Sequence, residues 1–242
     1  ALNSNDSTAE DTIATSLTAF GSDGFTVGSH TIINGNNNNY ASWNWKANGT
    51  GSANTDGSIN STATSANTTS GFSISTYTGT GSNATVGHGL GVVPKMIIVK
   101  RLNGNDAWWV YNEAIGNGAY LVLDSAGASS TSGASGLWNS TSPTSSVFSV
   151  GTNGGVNASG GTYVAYCYAD VTGYSKFGSY IGNGSTDGTF IYTGFKPAYV
   201  FMKKTSGSGG GWLVYDTARS PSNGNNKILN FMEPNAEADN TS

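Results

Sequence analysis

The sequence predicts an all-β protein of tandem antiparallel β-sandwich repeats with few or no helices, and three observations carry that prediction. The first is internal repetition without a gap. Phe25-Thr26-Val27-Gly28 through Tyr40-Ala41-Ser42-Trp43-Asn44-Trp45 aligns on Phe148-Ser149-Val150-Gly151 through Tyr163-Val164-Ala165-Tyr166-Cys167-Tyr168, at a constant offset of 123 (148 − 25). Tyr77-Thr78-Gly79-Thr80-Gly81-Ser82 aligns on Tyr180-Ile181-Gly182-Asn183-Gly184-Ser185, and that block stays in step through Pro94 and Pro197 at an offset of 103 (197 − 94). Each copy closes on a Trp-x-x-Tyr-like ending, Trp108-Trp109-Val110-Tyr111-Asn112 and Trp212-Leu213-Val214-Tyr215-Asp216. The second observation is composition. Charged residues make up 10%, below the usual quarter or so, while 36% of the chain is hydrophobic and 11% aromatic. Scarce Glu and Leu argue against helices, and the aromatic content is too high for a disordered linker. The third is local pattern: short β-branched and aromatic runs between Gly/Asn/Ser turns.

Taken in order, residues 6–16 have mild helical character, enough for a turn or two. Residues 48–70 form a joint of small polar residues. It reads equally as a flexible spacer or, over 61–69, as an edge strand. Residues 72–77 alternate large and small side chains, as a half-buried strand does. Residues 96–99 are continuously apolar and suit a central strand covered on both faces. Residues 107–111, 120–123, 147–150 and 163–168 continue the series, and 190–192, 199–203 and 213–215 supply the second copy. Pro94 and Pro197 precede their strands, where the missing N–H breaks no ladder. Asn34-Gly35, Asp56-Gly57, Asn153-Gly154, Asp187-Gly188 and Asn223-Gly224 are tight-turn signals. The Gly-rich stretches 79–91 and 206–211 are expected to be hairpin connections.

The repeats divide the chain into residues 1–70, a partial first repeat with its joint; 71–170, a central β-sandwich repeat; and 171–242, the start of the next. Absence of an initiator Met and of a leader, with similar residues at both ends, reads as a segment of a longer repetitive protein. Processing of a two-repeat protein is the alternative.

The function classes this excludes are broad. The net charge is −4, with ten scattered basic residues, so no electrostatic footprint for nucleic acid exists. No apolar run reaches the roughly 18 residues of a spanning helix, so no membrane insertion is expected. Cys167 is alone and its counterpart is Asn44, which favours a packed thiol over a nucleophile. His88 and His30 are the only histidines, and no nucleophile-elbow or zinc spacing accompanies them. Paired carboxylates for glycoside cleavage would have to come from Asp106, Glu113, Asp124, Asp170, Asp187, Asp216 or Glu233, all at expected strand ends or turns. No D-x-D-x-D-G calcium loop occurs, although a Ca²⁺ held by scattered loop oxygens stays open. The chain is therefore read as non-catalytic, with no cofactor. Lys100-Arg101 and Lys203-Lys204 recur and are expected to be solvated strand ends.

The aromatic residues are the candidate contact residues: Trp43, Trp45, Trp108, Trp109 and Trp212. Trp43 and Trp45, two apart, face one side of a strand. They form either a core layer or a platform on which sugar rings stack. In Trp108-Trp109 one ring faces each side.

Residues 71–100, including Gly71-Phe72-Ser73-Ile74-Ser75-Thr76-Tyr77 and Gly87-His88-Gly89-Leu90-Gly91-Val92-Val93-Pro94-Lys95-Met96-Ile97-Ile98-Val99-Lys100, resemble a repeat of large bacteriophage virion proteins, mostly marine and often labelled tail fibre or tail protein. Residues 142–151, 163–169 and 173–180 and Asp216-Thr217-Ala218-Arg219 are similar to the same family. The resemblance covers most of 25–219. It implies a β-sandwich structural or host-contacting protein, a tail fibre or head-attached fibre, at the virion surface or otherwise extracellular. Its partners would be other virion proteins and host-surface glycans, and trimers would follow by analogy. The alternative is a carbohydrate-binding module or bacterial adhesin of similar fold. A polysaccharide-degrading spike is a third reading, and it would need two carboxylates in one groove.

Overall fold

A computed structural model describes residues 1–222 and 226–239. The elements in chain order are β1 (Leu17–Phe20), β2 (Phe25–Val27), α1 (Thr31–Asn34), β3 (Ala63–Asn67), β4 (Phe72–Thr78), β5 (Ala84–Gly87), β6 (Met96–Arg101), β7 (Trp109–Asn112), β8 (Leu121–Val122), α2 (Ala134–Trp138), β9 (Val147–Val150), α3 (Gly154–Asn157), β10 (Thr162–Tyr168), β11 (Tyr199–Lys203), β12 (Trp212–Asp216), β13 (Lys227–Asn230) and β14 (Ala238–Asp239). The fold is all-β, with helices of only four or five residues. A six-stranded sheet in the order β3-β4-β10-β6-β7-β8 forms its centre. β5 and β9 pair separately, as do β1 and β2, and β11 to β14 form a four-stranded sheet. All these strand pairs are antiparallel.

Strand alternation divides the core between the two faces of the central sheet. Ile97, Val99, Tyr111, Tyr163, Ala165 and Cys167 point to one face and pack on Val86, Phe148 and Val150 of the β5–β9 pair and on Leu137, Trp138 and Val156 of the short helices. Met96, Ile98, Trp108 and Val110 point to the other and pack with Leu121, Leu123 and Trp212. Each such fully buried aliphatic contributes about 1.5–3 kcal/mol relative to exposure. This is why 96–99 is apolar without interruption: both faces of β6 are covered, and residues 96–100 are all buried.

The Ser/Thr-rich joint resolves as structure rather than spacer. Residues 63–67 form the edge strand β3, paired to β4 from Ala63↔Thr76 to Asn67↔Phe72. Its hydroxyls are satisfied internally by a chain of bonds: Ser61 Oγ to Thr64 Oγ1 at 2.9 Å, Thr64 Oγ1 to Ser75 Oγ at 2.9 Å, and Ser75 Oγ donating to the Gly87 carbonyl at 3.0 Å. Small hydroxyl side chains thus pack where one face of the sheet leaves little room, and each bond relieves the desolvation of a buried polar atom.

Several expectations are corrected. Residues 6–16 contain no helix; they run against the central sheet, with the Glu10 amide donating to the Leu102 carbonyl at 2.8 Å. Residues 190–192 are not a strand and lie exposed, because no neighbouring strand offers them a ladder. The stretch 79–91 is no simple hairpin, since it contains β5, which pairs with β9. Asn153-Gly154 opens α3 instead of a hairpin, the Asn153 side chain accepting from the Gly155 amide at 2.8 Å as an N-cap. Asn223-Gly224 lies outside the described residues. The loop 206–211 does join the antiparallel pair β11–β12.

The repeat is visible in backbone detail. Gly151 and Gly28 are equivalent, and a Cβ on either would collide with a backbone carbonyl, that of Gly136 or Thr15 respectively. Glycine is needed at both because the chain passes that close. α1 and α3 are also equivalent at the same offset, Thr31–Asn34 against Gly154–Asn157.

Candidate functional site

Lys100 and Lys203 are equivalent by the 103 offset, and the structure contradicts their expected solvation. Lys100 is fully buried, its Nζ donating to the Ser7 carbonyl at 3.0 Å and the Asp106 carbonyl at 2.8 Å. Lys203 Nζ donates to the carbonyls of Ser125 (3.3 Å), Ala126 (2.8 Å) and Gly210. Each ammonium ties a distant loop to a strand through backbone oxygens. Burial pulls both pKa values down; for Lys100 the nearby carboxylates of Asp124, Asp106 and Asp6 pull in the opposite direction. The repeat marked the two lysines as equivalent, but only folding supplied their acceptors.

Trp108 and Trp212 are buried, and their indole N–H groups are used inside. Trp108 Nε1 donates to the Asn3 and Asp6 carbonyls at 3.0 and 3.1 Å, and Trp212 Nε1 to the Val122 carbonyl at 2.8 Å. Trp212 also stacks on Phe201 at 4.9 Å. Trp109 points to the other face, as its position beside Trp108 requires, and meets Tyr120 edge-on at 5.1 Å. These three rings serve packing.

Trp43 and Trp45 differ. Residues 39–45 form no strand, and the two rings lie across the junction of the central and C-terminal sheets. Trp45 is 38% exposed and contacts Tyr199 at 5.7 Å, Tyr168 at 6.1 Å and Phe72 at 6.5 Å. Trp43 contacts Tyr199 at 5.8 Å and Phe231 at 6.0 Å. A charged pair borders them: Trp43 Nε1 donates to Asp216 Oδ2 at 3.3 Å, and Arg219 Nε donates to the same oxygen at 2.7 Å. The Arg219 guanidinium sits over the Trp43 ring at 5.9 Å and reaches Glu237 Oε2 at 2.8 Å. Burial pushes the Asp216 carboxyl up, but the bonds from Arg219 outweigh it and leave it below the ordinary range. Aromatic faces beside a fixed carboxylate–guanidinium pair can stack on apolar faces of a ligand and bond its hydroxyls.

The candidate carboxylates are dispersed, and most of them are occupied. Asp106 pairs with Arg101 at 3.4 Å, Glu113 with Lys95 at 2.5 Å and Asp170 with Lys176 at 2.7 Å. Asp124 Oδ1 accepts the Trp108 amide at 3.0 Å, and Glu233 Oε2 accepts from the Asn235 side chain at 3.0 Å. Asp187 lies in the exposed stretch with 190–192. Among the described residues no group of three His, Cys, Asp or Glu converges as a metal site, and no helix is long and apolar enough to cross a membrane.

His88 is buried in its neutral form. Its Nε2 lies 3.1 Å from the Thr144 carbonyl and its Nδ1 accepts the Leu90 amide at 3.2 Å, so the proton belongs on Nε2. Burial lowers its pKa from the ordinary 6.5. The unfolded chain therefore takes up the proton first as pH falls. Stability is expected to be full above pH 6.5 and to decline below it; His88→Gln should flatten that decline in urea titrations run across the range. Cys167 is buried opposite Ser73 on the neighbouring strand. Burial pushes its thiol up to about 12, with the Ser73 hydroxyl opposing. In the native protein it should resist alkylation by iodoacetamide at neutral pH and react only after unfolding, as mass spectrometry will show.

The chain belongs to the family described as Domain of unknown function (DUF7483), whose profile matches residues 1–242. No curated protein and no solved structure matches the chain.

Proposed function

We propose that this protein is a non-catalytic structural module of a bacteriophage virion surface, part of a tail fibre or head-attached fibre, which contributes to adhesion on host-surface glycans. The observation that carries the reading is where the repeat places its residues. The stretch 71–100, which resembles the phage virion repeat, builds β4, β5 and β6, the frame of the central sandwich. Its aromatic side chains Phe72 and Tyr77 are buried, whereas Trp45 is 38% exposed at a sheet junction. Repetition of such a module gives length, and weak contacts on successive modules add through effective concentration.

Immunogold electron microscopy with antibody against this chain tests the placement. Gold on tail fibres or on head fibres is the expected result, and intact source particles without label would overturn it.

A soluble carbohydrate-binding module is the second reading, favoured by the exposure of Trp45 beside Asp216 and Arg219. On a glycan array, Trp45→Ala is expected to lower any signal by about two- to tenfold, since stacking of one ring is worth about 0.5–1.5 kcal/mol beyond the area it buries. A glycan that binds equally well after Trp45→Ala would exclude this face as the contact.

A further inference from the structure

The two ends of the chain are complementary halves of the module that the middle of the chain completes. In the central sandwich, β9, α3 and β10 come from one block of the repeat, and β4 to β7 come from the other. The N-terminal copy of the first block, residues 25–45, and the C-terminal copy of the second, residues 175–216, share no strand ladder of this kind among the described residues.

The N-terminal half nevertheless reproduces the hydrogen bonds that stay within its block. Tyr163 Oη donates to the Gly154 carbonyl and accepts the Ala158 amide at 2.7 Å; Tyr40 Oη donates to the Thr31 carbonyl at 3.0 Å and accepts the Gly35 amide at 2.7 Å. All three residues of each set correspond at the 123 offset. Asn157 Nδ2 donates to the Gly151 carbonyl at 2.8 Å, and Asn34 Nδ2 to the Gly28 carbonyl at 2.7 Å.

Among the described residues, the bonds that cross between blocks are the ones without counterparts. Asn157 also accepts the Thr80 amide at 2.8 Å and donates to the Ser82 carbonyl at 2.6 Å, and Tyr77 Oη donates to the Val156 carbonyl at 2.7 Å. At the equivalent of Tyr77, Tyr180 Oη instead faces Met202 Sδ at 3.6 Å. Exposure follows the same division. Phe148, Tyr163 and Tyr77 are at most 1% exposed, whereas their equivalents Phe25, Tyr40 and Tyr180 are 43%, 51% and 51% exposed.

The sheet shows the same vacancy. β6 lies between β10 and β7, but its equivalent β11 is the edge of its sheet, with β12 on one side only. The residues equivalent to β10 are 39–45, which form no strand. An unpaired edge and an unpaired strand-forming segment in one molecule predict pairing between them.

We infer that residues 39–45 are the missing strand of the C-terminal sheet. They pair along β11 as β10 pairs along β6, with Trp45 opposite Tyr199, Asn44 opposite Val200 and Trp43 opposite Phe201, closing the two ends into a second sandwich. This register is the one in which Tyr168, Cys167 and Tyr166 lie opposite Met96, Ile97 and Ile98. The same chain supplies the strand, because the Trp45 and Tyr199 rings that the register makes neighbours are already 5.7 Å apart, and Trp43 is already bonded to Asp216 of β12. Closure would cover Phe25, Tyr40 and Tyr180 and give Asn34 the inter-block partners that Asn157 has.

The test is disulfide trapping in the full chain. Directly opposed residues on antiparallel strands have Cα atoms about 4.5–5.5 Å apart, within the range a disulfide spans. The variant Asn44→Cys/Val200→Cys is expected to lose both new thiols to one intramolecular disulfide under mild oxidation, mapped by non-reducing peptide mass spectrometry. Ser42→Cys/Val200→Cys, two positions out of register, is expected to keep them. Covalent dimers or ladders would overturn the inference in favour of exchange between copies. Equal trapping of both pairs, or of neither, would overturn the register. Hydrogen exchange on the unmodified protein reads the same pairing independently: amides of 40–45 and 199–203 should be protected together, and rapid exchange throughout 40–45 would overturn closure.

Discussion

Lys100→Ala is expected to destabilise the protein by about 3 kcal/mol or more. The substitution removes a long alkyl stem from a site with no solvent exposure and strips two backbone carbonyls, those of Ser7 and Asp106, of their donor. It also leaves Asp6, Asp106 and Asp124 without the cation among them. The Ser7 carbonyl additionally accepts the Asp106 amide at 2.9 Å, and Trp108 holds Asn3 and Asp6, so loss of Lys100 should loosen the whole N-terminal segment. Urea unfolding would register the effect as a lower midpoint with an unchanged slope. For a chain of this size, the melting temperature should fall by about 6–12 °C. Lys203→Ala is expected to be milder, because Lys203 is only half-buried. Equal effects from the two would mean that the cage, not the burial, carries the energy.

Asn157→Ala is expected to cost about 2–4 kcal/mol, the second large effect. Its buried amide bonds the Thr80 amide, the Ser82 carbonyl and the Gly151 carbonyl, so one side chain clamps both blocks of the sandwich. Truncation removes three bonds at once and takes the Asn157 donor from the carbonyl of the buried Gly151. Asn34→Ala removes a single bond at a surface site, from Asn34 Nδ2 to the Gly28 carbonyl, and should cost less than about 1 kcal/mol. Comparing the two variants by chemical denaturation isolates what the inter-block contacts are worth. A large cost at Asn34 would show that the N-terminal half is already clamped.

Most of the strand frame was legible because it rests on local pattern. Residues 72–77, 96–99, 147–150 and 163–168 alternate or run apolar as their burial demands, and each is a strand. Residues 190–192 carry equally good strand chemistry but form none, since a strand exists only where a second strand meets it. The joint 48–70 could not be resolved from sequence for the converse reason: its Ser and Thr side chains are ambiguous until the hydroxyl partners Ser61, Thr64 and Ser75 are brought together. The candidate tryptophans divided along the same line. Spacing showed that Trp108 and Trp109 face opposite ways, but burial of Trp108 and Trp212 depended on layers assembled from residues a hundred positions away.

Strand propensity, turn chemistry and side-chain alternation act over a few residues, and so the β class, the period of the repeat and the equivalence of its positions are all written in the chain. Which equivalents share a fate depends on long-range packing. Lys100 became a buried anchor, Tyr163 a core ring and Tyr40 an exposed one, because burial and hydrogen-bond satisfaction depend on which distant strand arrives, and identical local chemistry cannot specify that.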